Sequence, residues 1–440
     1  MFDTICAIAS GNVNQAISII RIVGPEALAI SRRIFTGQTG AHKTLAYGFI
    51  VDPQGHKLDE VLVSFQLGRD NFVGEDTVEI NAHGGIVVTN RILELILAQG
   101  ARLASPGEFT RRAYLNGKIT LLKAEAINEL IHAKTAKQHE LALSGFDGAR
   151  TAAIGRFGAE LERLIGLCEV NIDYPEYEDI PLLANAEFNT AVATLAQQLA
   201  ELIQNSEANL VYTQPLKVAL VGRPNAGKSA LLNALSNAER AIVTATAGTT
   251  RDIIEADITF NNMVLRFQDT AGIRAATGDE IERIGITKSW QALRAADVVF
   301  HVIDATAGWH PDDEQIQTQC QNIRYLQLWN KADQVNKRKA GRIYISALQR
   351  DLSALETALT QLFQTSDLNA TMVFNPRQTT CLKKAQTALR SAQEGIAQGL
   401  GYDVVITDLH ECWMALQELT GAADKEALLD SIFKNFCLGK

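Results

Sequence analysis

The sequence predicts a multidomain chain of α/β and all-α parts: an N-terminal α/β domain, a discontinuous helical domain, and an α/β nucleotide domain inserted into the helical one. Three observations predict it. Up to residue 117, short apolar runs alternate with turn residues, as in mixed strands and helices. Over residues 121–168, 187–203 and 378–434, apolar residues recur at helical spacing and proline is absent. Between the last two helical stretches lies a strand, a glycine loop and a helix in succession.

In the N-terminal part, residues 17–22 read as a strand and 27–35 as a helix. Residues 47–51 and 61–67 flank Asp52-Pro53-Gln54-Gly55, which predicts a hairpin. Residues 77–81 read as a strand and 87–98 as a helix, with His83-Gly84-Gly85 as the tight turn between them. Residues 121–168 read as one helical stretch, with Leu121, Ala124, Ile127, Leu130 and Ile131 on one face. Residues 173–179 break it. Residues 212–215 and 374–376 read as linkers into and out of the inserted domain. The expected domains are 1–117, 118–212, 213–372 and 373–440, with the helices on either side of the insertion packing together.

Gly222-Arg223-Pro224-Asn225-Ala226-Gly227-Lys228-Ser229 fits the phosphate-loop pattern between an apolar strand and a helix that continues through Ala230. Glycines let backbone N–H groups reach phosphate oxygens, and the helix N-terminus adds partial positive charge. Lys228 is expected on the β- and γ-phosphates and Ser229 on Mg²⁺. Asp269-Thr270-Ala271-Gly272 follows a second strand; Asp269 suits the Mg²⁺ shell and Gly272 a γ-phosphate sensor. Asn330-Lys331-Ala332-Asp333 follows a third apolar run, and a buried Asp333 would accept from guanine N1–H and N2–H₂, which adenine does not offer. Ser346-Ala347-Leu348 suits guanine O6. These segments in this order predict a Ras-like P-loop GTPase domain. Before the second segment, Thr244-Ala245-Thr246-Ala247-Gly248-Thr249-Thr250 supplies a threonine, Thr250, to close over Mg²⁺ and the γ-phosphate.

Hydrolysis poses a problem. Ile273 stands where many small GTPases carry a water-orienting glutamine. Asp279, Glu280 and Glu282 are the nearby polar candidates. The transition state also needs positive charge. Asn225, with oxygens of the 244–249 loop, could hold a monovalent cation there, or could be a turn residue bonded to its own backbone.

At 440 residues the chain requires more than one core. No run of about 18 uncharged apolar residues appears, so no membrane span is expected. The N-terminus lacks the basic region of a signal peptide. The cysteines, at positions 6, 168, 320, 381, 412 and 437, form no C-x-x-C pair; zinc and disulfide frameworks are not indicated, and a reducing cytoplasm fits. The net charge of −9 makes the chain as a whole a poor binder of polyanions. A nucleic-acid role therefore needs a local basic surface or a basic partner.

Further segments carry a resemblance. Val78-Glu79-Ile80-Asn81-Ala82-His83-Gly84-Gly85, Pro106-Gly107-Glu108-Phe109-Thr110-Arg111-Arg112-Ala113, Leu115-Asn116-Gly117-Lys118, Ala124-Glu125-Ala126-Ile127 and Cys437-Leu438-Gly439-Lys440 resemble the tRNA modification GTPase family MnmE, also called TrmE. The resemblance spans essentially the whole chain. It implies a homodimer that works with the FAD-containing MnmG, in a heterotetramer or larger assembly, on the C5 position of the wobble uridine of certain tRNAs. It implies 5,10-methylene- or 5-formyl-tetrahydrofolate as the one-carbon source, and K⁺ in place of an arginine finger. By resemblance Asn225, Thr244, Thr246 and Thr249 form the K⁺ site, Glu282 is catalytic, and Arg21, Glu79, Lys118 and Lys440 bind folate, with Cys437 a candidate for the modification chemistry. The loop from Ser10 to Ala16 lacks the family's proline- and glycine-rich character, Ala230 replaces a serine, and Leu438 an isoleucine. The competing reading is a regulatory or ribosome-associated GTPase switch without modification chemistry.

Overall fold

The structure is a computed structural model that describes residues 2–173, 185–238, 256–267, 293, 295–363, 372–422 and 426–440. It forms two compact units, Met1–Asn128 with Leu416–Lys440, and Glu129–Ala415.

In the first unit a six-stranded sheet has the order β3-β4-β5-β2-β1-β6. Its strands are β1 (Ile5–Ile8), β2 (Ile17–Val23), β3 (Thr44–Val51), β4 (Lys57–Gln66), β5 (Thr77–His83) and β6 (Arg102–Leu103). Period-two alternation sorts its faces. Ile20, Ile22, Val78 and Ile80 point into one core with residues of α1 (Ala27–Ile34) and α2 (Ile86–Ala98). Arg21 and Glu79, cross-strand partners in the β2–β5 register, lie on the opposite face. The expected hairpin is present: Asp52 accepts from Gln54 N and His56 N, and Gly55 takes the left-handed φ of 82°. The glycine turn before α2 is also as expected, since a Cβ on Gly84 would lie 2.2 Å from Gln15 O. Leu429 and Phe433 of α13 (Glu426–Phe433), with Phe436, pack on Leu121 and Ala124 of α4 (Leu121–His132).

Arg112, on α3 (Glu108–Leu115), is almost fully buried. It bonds Asp3 Oδ1 at 2.8 Å, Glu75 Oε2 at 3.2 Å and Glu108 Oε1 at 3.0 Å. Hydrogen bonds from Arg102 and Arg112 hold the Asp3 carboxyl at about 2.

In the second unit the expected single helical stretch is three helices: the end of α4, α5 (Ala136–Phe146) and α6 (Ala149–Asp173). Thr135 interrupts it by capping α5, its hydroxyl accepting from Gln138 N, and Gly148 at φ 84° ends the next turn. α7 (Asn185–Thr213) runs about ten residues beyond the expected end at 203. Ser206 and Asn209 extend it as buried residues whose side chains bond the helix's own carbonyls. Only two residues then separate α7 from β7 (Leu216–Val221). After the insertion come α11 (Pro376–Ala397) and α12 (Tyr402–Thr420). α11 packs along α7, and Phe374 N donates to the buried Ser206 hydroxyl at 3.2 Å.

The inserted part carries a second six-stranded sheet, order β12-β11-β10-β7-β9-β8. It comprises β7, β8 (Ala256–Phe260), β9 (Met263–Phe267), β10 (Val298–Asp304), β11 (Arg324–Asn330) and β12 (Ile343–Tyr344). All pairings are parallel except the β8–β9 hairpin. β7 lies between β10 and β9, so the chain switches direction across the sheet at its carboxyl end, where α/β sheets bind ligands. Helices α8 (Lys228–Ala238) and α9 (Pro311–Gln319) lie between strands, and α10 (Ser353–Leu362) follows the last of them.

Replacing Arg112 with Ala is expected to destabilise the first unit by about 3 kcal/mol, because it removes the cation paired with the largely buried Glu75, while Asp3 and Glu108 keep Arg102. Urea unfolding of the variant against the wild type measures the loss.

Candidate functional site

The phosphate loop begins where β7 ends. Gly222 has φ 142°, and a Cβ there would lie 2.2 Å from Val302 O of β10. Asn225 is left-handed at φ 61° and exposed. Its side chain makes no hydrogen bond among the described residues, so the self-bonded turn is not what the loop adopts. Gly227 has φ 98°, and a Cβ would lie 2.1 Å from Asn330 Nδ2. Both glycines are therefore required by the fold of the loop as well as by its use. Lys228 Nζ donates to Gly222 O at 2.7 Å and Arg223 O at 3.0 Å, which holds the ammonium across the loop. Lys228 and Ser229 open α8, whose first N–H groups have no partner within the helix.

Asn330 ends β11 and is buried. Its Nδ2 donates to Ala226 O at 3.0 Å, and its Oδ1 accepts from Ala347 N at 3.0 Å. One amide thus joins the phosphate loop to the Ser346-Ala347-Leu348 segment. Lys331, left-handed at φ 63°, donates from Nζ to Asp304 Oδ2 at 2.6 Å. Burial would raise the Asp304 carboxyl, but hydrogen bonds from Lys331 and Thr306 outweigh it and hold it at about 2. Asp333 accepts at Oδ1 from the Ser346 hydroxyl at 2.6 Å. It is exposed, not buried as the sequence suggested. Leu348 is exposed beside it.

A second anchor escaped the sequence reading. Arg223 Nε lies 3.2 Å from Asp313 Oδ2, and its Nη2 donates to Gly308 O at 2.7 Å. Asp313 is fully buried, accepts from His310 N at 3.0 Å, and lies 3.1 Å from His301 Nε2. His301 is itself fully buried, with Tyr325 on its other nitrogen. Burial lowers the His301 pKa below its ordinary 6.5 despite the Asp313 carboxylate beside it. The only advance signal was a histidine inside the apolar run of β10.

In the first unit, Arg21 Nε donates to Glu79 Oε1 at 2.7 Å, and Nη1 to Gly439 O at 3.2 Å. The guanidinium lies 5.4 Å from the Phe109 ring centroid. The terminal segment is docked: Gly107 N donates to Cys437 O at 3.3 Å and Phe109 N to Lys440 O at 3.2 Å. Gly439 has φ 89°, and a Cβ would lie 2.3 Å from Ile8 O. Lys118 Nζ is turned to Arg69 O at 2.9 Å. Cys437 is exposed. Thr244, Ala245, Thr246, Ala247, Gly248, Thr249, Thr250, Asp269, Thr270, Ala271, Gly272 and Glu282 lie outside the described residues.

The sheet order and the phosphate loop define a P-loop GTPase built into a helical body. The family described as "MnmE helical domain" matches residues 121–437, and "GTP-binding protein TrmE N-terminus" matches residues 4–118. The chain is 45% identical over 443 residues to the tRNA modification GTPase MnmE of Mycoplasma mobile, covering 100% of both chains. It is 40% identical over 452 residues to MnmE of Lactococcus lactis, covering 100% of this chain and 99% of that one. Among solved structures, the FeoB G-domain of Methanococcus jannaschii matches 34% of this chain and 99% of that one, at 21% identity and a TM-score of 0.25. The chain belongs to the MnmE family of tRNA modification GTPases. It is a GTP-hydrolysing enzyme.

Two outcomes are expected. Asn330→Ala removes both ties between the loops and is expected to weaken GTP binding about tenfold or more, by isothermal titration, at a cost of about 1–3 kcal/mol per orphaned partner. The second concerns pH. Because native His301 is held neutral, the unfolded chain takes up protons first as pH falls below 6.5, and stability conferred above that value is lost on acidification. The melting temperature of His301→Gln is expected to fall less than that of the wild type between about pH 7.5 and pH 5.5.

Proposed function

We propose that this chain is a K⁺-dependent GTP hydrolase that acts with MnmG to add an aminomethyl or carboxymethylaminomethyl group to C5 of the wobble uridine in certain tRNAs, using a folate one-carbon unit. The observation that carries this reading is the seating of the terminal Cys437–Lys440 segment against Arg21, itself paired to Glu79. A nucleotide switch alone has no use for that arrangement.

In the nucleotide site, backbone N–H groups of the Asn225–Ala230 segment and the Lys228 ammonium bind the phosphates. Asp333, with the N–H groups of Ser346, Ala347 and Leu348, reads the guanine edge, on the frame set by Asn330, Lys331 and Ala332. Ser229 and Thr250 would ligate Mg²⁺, with Asp269 behind them. Thr270, Ala271 and Gly272 follow the γ-phosphate. Asn225, whose amide is exposed with no hydrogen bond among the described residues, would hold K⁺ together with Thr244, Thr246 and Thr249. Bound there, the cation supplies the positive charge that the transition state develops a need for. Glu282 orients the attacking water, the role Ile273 cannot fill. Ala245, Ala247 and Gly248 complete the loop. Arg21, Glu79, Lys118 and Lys440 bind the folate, and Cys437 faces the modification chemistry. Homodimerisation through the first unit and a cytoplasmic setting belong to the same reading. No helix among the described residues is long and apolar enough to cross a membrane.

Cells lacking the protein are expected to lose C5-modified wobble nucleosides by mass analysis; normal levels would leave only a switch. With purified protein, Glu282→Ala is expected to retain GTP binding and hydrolyse about 100-fold more slowly or worse. Equal turnover in Na⁺ and K⁺ would remove the cation role of Asn225.

A further inference from the structure

The chain carries a net charge of −9, yet five cations and no carboxylate lie in residues 334–350: Lys337, Arg338, Lys339, Arg342 and Arg350. Lys337, Arg338 and Lys339 are exposed. None of the five is ion-paired among the described residues. A charged loop of this kind is ordinarily a solvated surface. Here two of its guanidinium groups are held on aromatic faces instead. Arg342 lies 3.6 Å from the Trp329 ring centroid, and Arg338 lies 5.7 Å from that of Tyr344. Trp329 and Tyr344 are adjacent, with centroids 6.4 Å apart. Trp329 itself is buried; the Trp309 ring, 6.4 Å from it, is 38% exposed. Lys339 N donates to the Tyr344 hydroxyl at 2.9 Å, which pins the loop to the same ladder. The first turn of α9, with Asp312 and Glu314, bounds the patch beyond Trp309.

We infer that this ladder of arginine and aromatic side chains, with Lys337 and Lys339 at its edge, is a docking surface for the backbone and unstacked bases of tRNA. Exposed cations neutralise phosphates, and the exposed Trp309 ring or a guanidinium plane accepts a splayed base by stacking, with the buried Trp329 and the half-buried Tyr344 holding the guanidinium groups in place. An acidic protein surface would use the charges but not the exposed Trp309 ring beside them. The loop leaves Asp333 and returns at Ser346, so RNA held there is joined at both ends to the segments that face guanine. It also supplies the local basic surface that an acidic chain needs for such a substrate. The inference rests on the reading of this chain as one that acts on tRNA.

The test titrates the full chain with in vitro-transcribed tRNA by fluorescence anisotropy, between about 50 and 200 mM salt. The variant Lys337→Gln/Arg338→Gln/Lys339→Gln is expected to bind tRNA at least about tenfold more weakly, with a log–log salt slope shallower by about 2. Its GTP affinity in the absence of tRNA is expected to match the wild type. The charge-preserving Lys337→Arg/Lys339→Arg is expected to keep tRNA binding. In parallel, wild-type protein photocrosslinked to 4-thiouridine tRNA is expected to carry the adduct within residues 329–344, and this map decides should the glutamine variant lose GTP binding as well. Unchanged affinity and slope, or crosslinks confined to other peptides, would overturn the inference. So would intact tRNA binding with lost binding of MnmG, which would make the patch a protein surface. Loss of wobble modification on deletion, with tRNA binding unaltered in the variant, leaves the functional reading standing and removes this surface alone.

Discussion

The nucleotide site depends on one neutral amide. Asn330 has a donor and an acceptor to offer, and both are committed inside the protein, to Ala226 O and Ala347 N. The phosphate loop and the guanine-side loop are far apart in sequence and come from opposite sides of β10. Neither reaches the other by its own backbone. The amide fixes their separation. The constraint propagates. Residue 227 has no room for a Cβ because Asn330 Nδ2 occupies it, and Lys331, next in line, turns left-handed so that its ammonium reaches Asp304. A buried amide with both partners satisfied avoids the desolvation cost that an orphaned group would carry.

Arg223 anchors the same loop by a different physical means. Its partner Asp313 is a fully buried carboxylate, which is costly unless paired and hydrogen-bonded. Asp313 has all it needs: Arg223, the His310 N–H at the start of α9, and the His301 ring. The histidine is held neutral by burial, so the network carries one cation for one anion. The loop is thus held from the base side by a neutral tie and from beneath by a compensated charge pair. Lys228, clamped against the loop's carbonyls, adds its charge above both.

What the sequence revealed follows from how local each constraint is. The phosphate loop, the Asn-Lys-x-Asp segment and the Asp52–Gly55 hairpin were legible because turn chemistry and phosphate chemistry each demand particular residues at fixed spacing. β1 was not, because its four residues take their strand character from pairing with β2 and β6. The breaks at Thr135 and Gly148 were hidden by an apolar pattern that continues across them. The last turns of α7 were missed because Ser206 and Asn209 look like helix-ending residues until their buried hydrogen bonds are seen. His301 and Asp304 meant little in advance, since a lone polar residue in an apolar strand acquires meaning only from its partner, and Asp313 reads as one of three acidic residues opening α9. Asp333 was assigned a buried setting from what guanine recognition would require, and the fold leaves it exposed, with the Ser346 hydroxyl as its partner.

The docked tail shows how the other unit uses its charges. Arg21 and Glu79 are cross-strand neighbours that already satisfy one another, so together they present little net charge to a ligand. Gly439 O takes a second guanidinium donor, and only a glycine fits there against Ile8 O. A guanidinium has five N–H groups, so donors remain on Arg21 after both bonds are made. An anionic group approaching this face would meet hydrogen-bond geometry more than field. Much of its electrostatic attraction would have to come from Lys440, which the docked segment carries, or from Lys118, which would first leave Arg69 O. The terminal tetrapeptide is therefore part of the Arg21 environment and not an appendage to it, and the mild change at Leu438 sits beside a glycine that the fold does not allow to change.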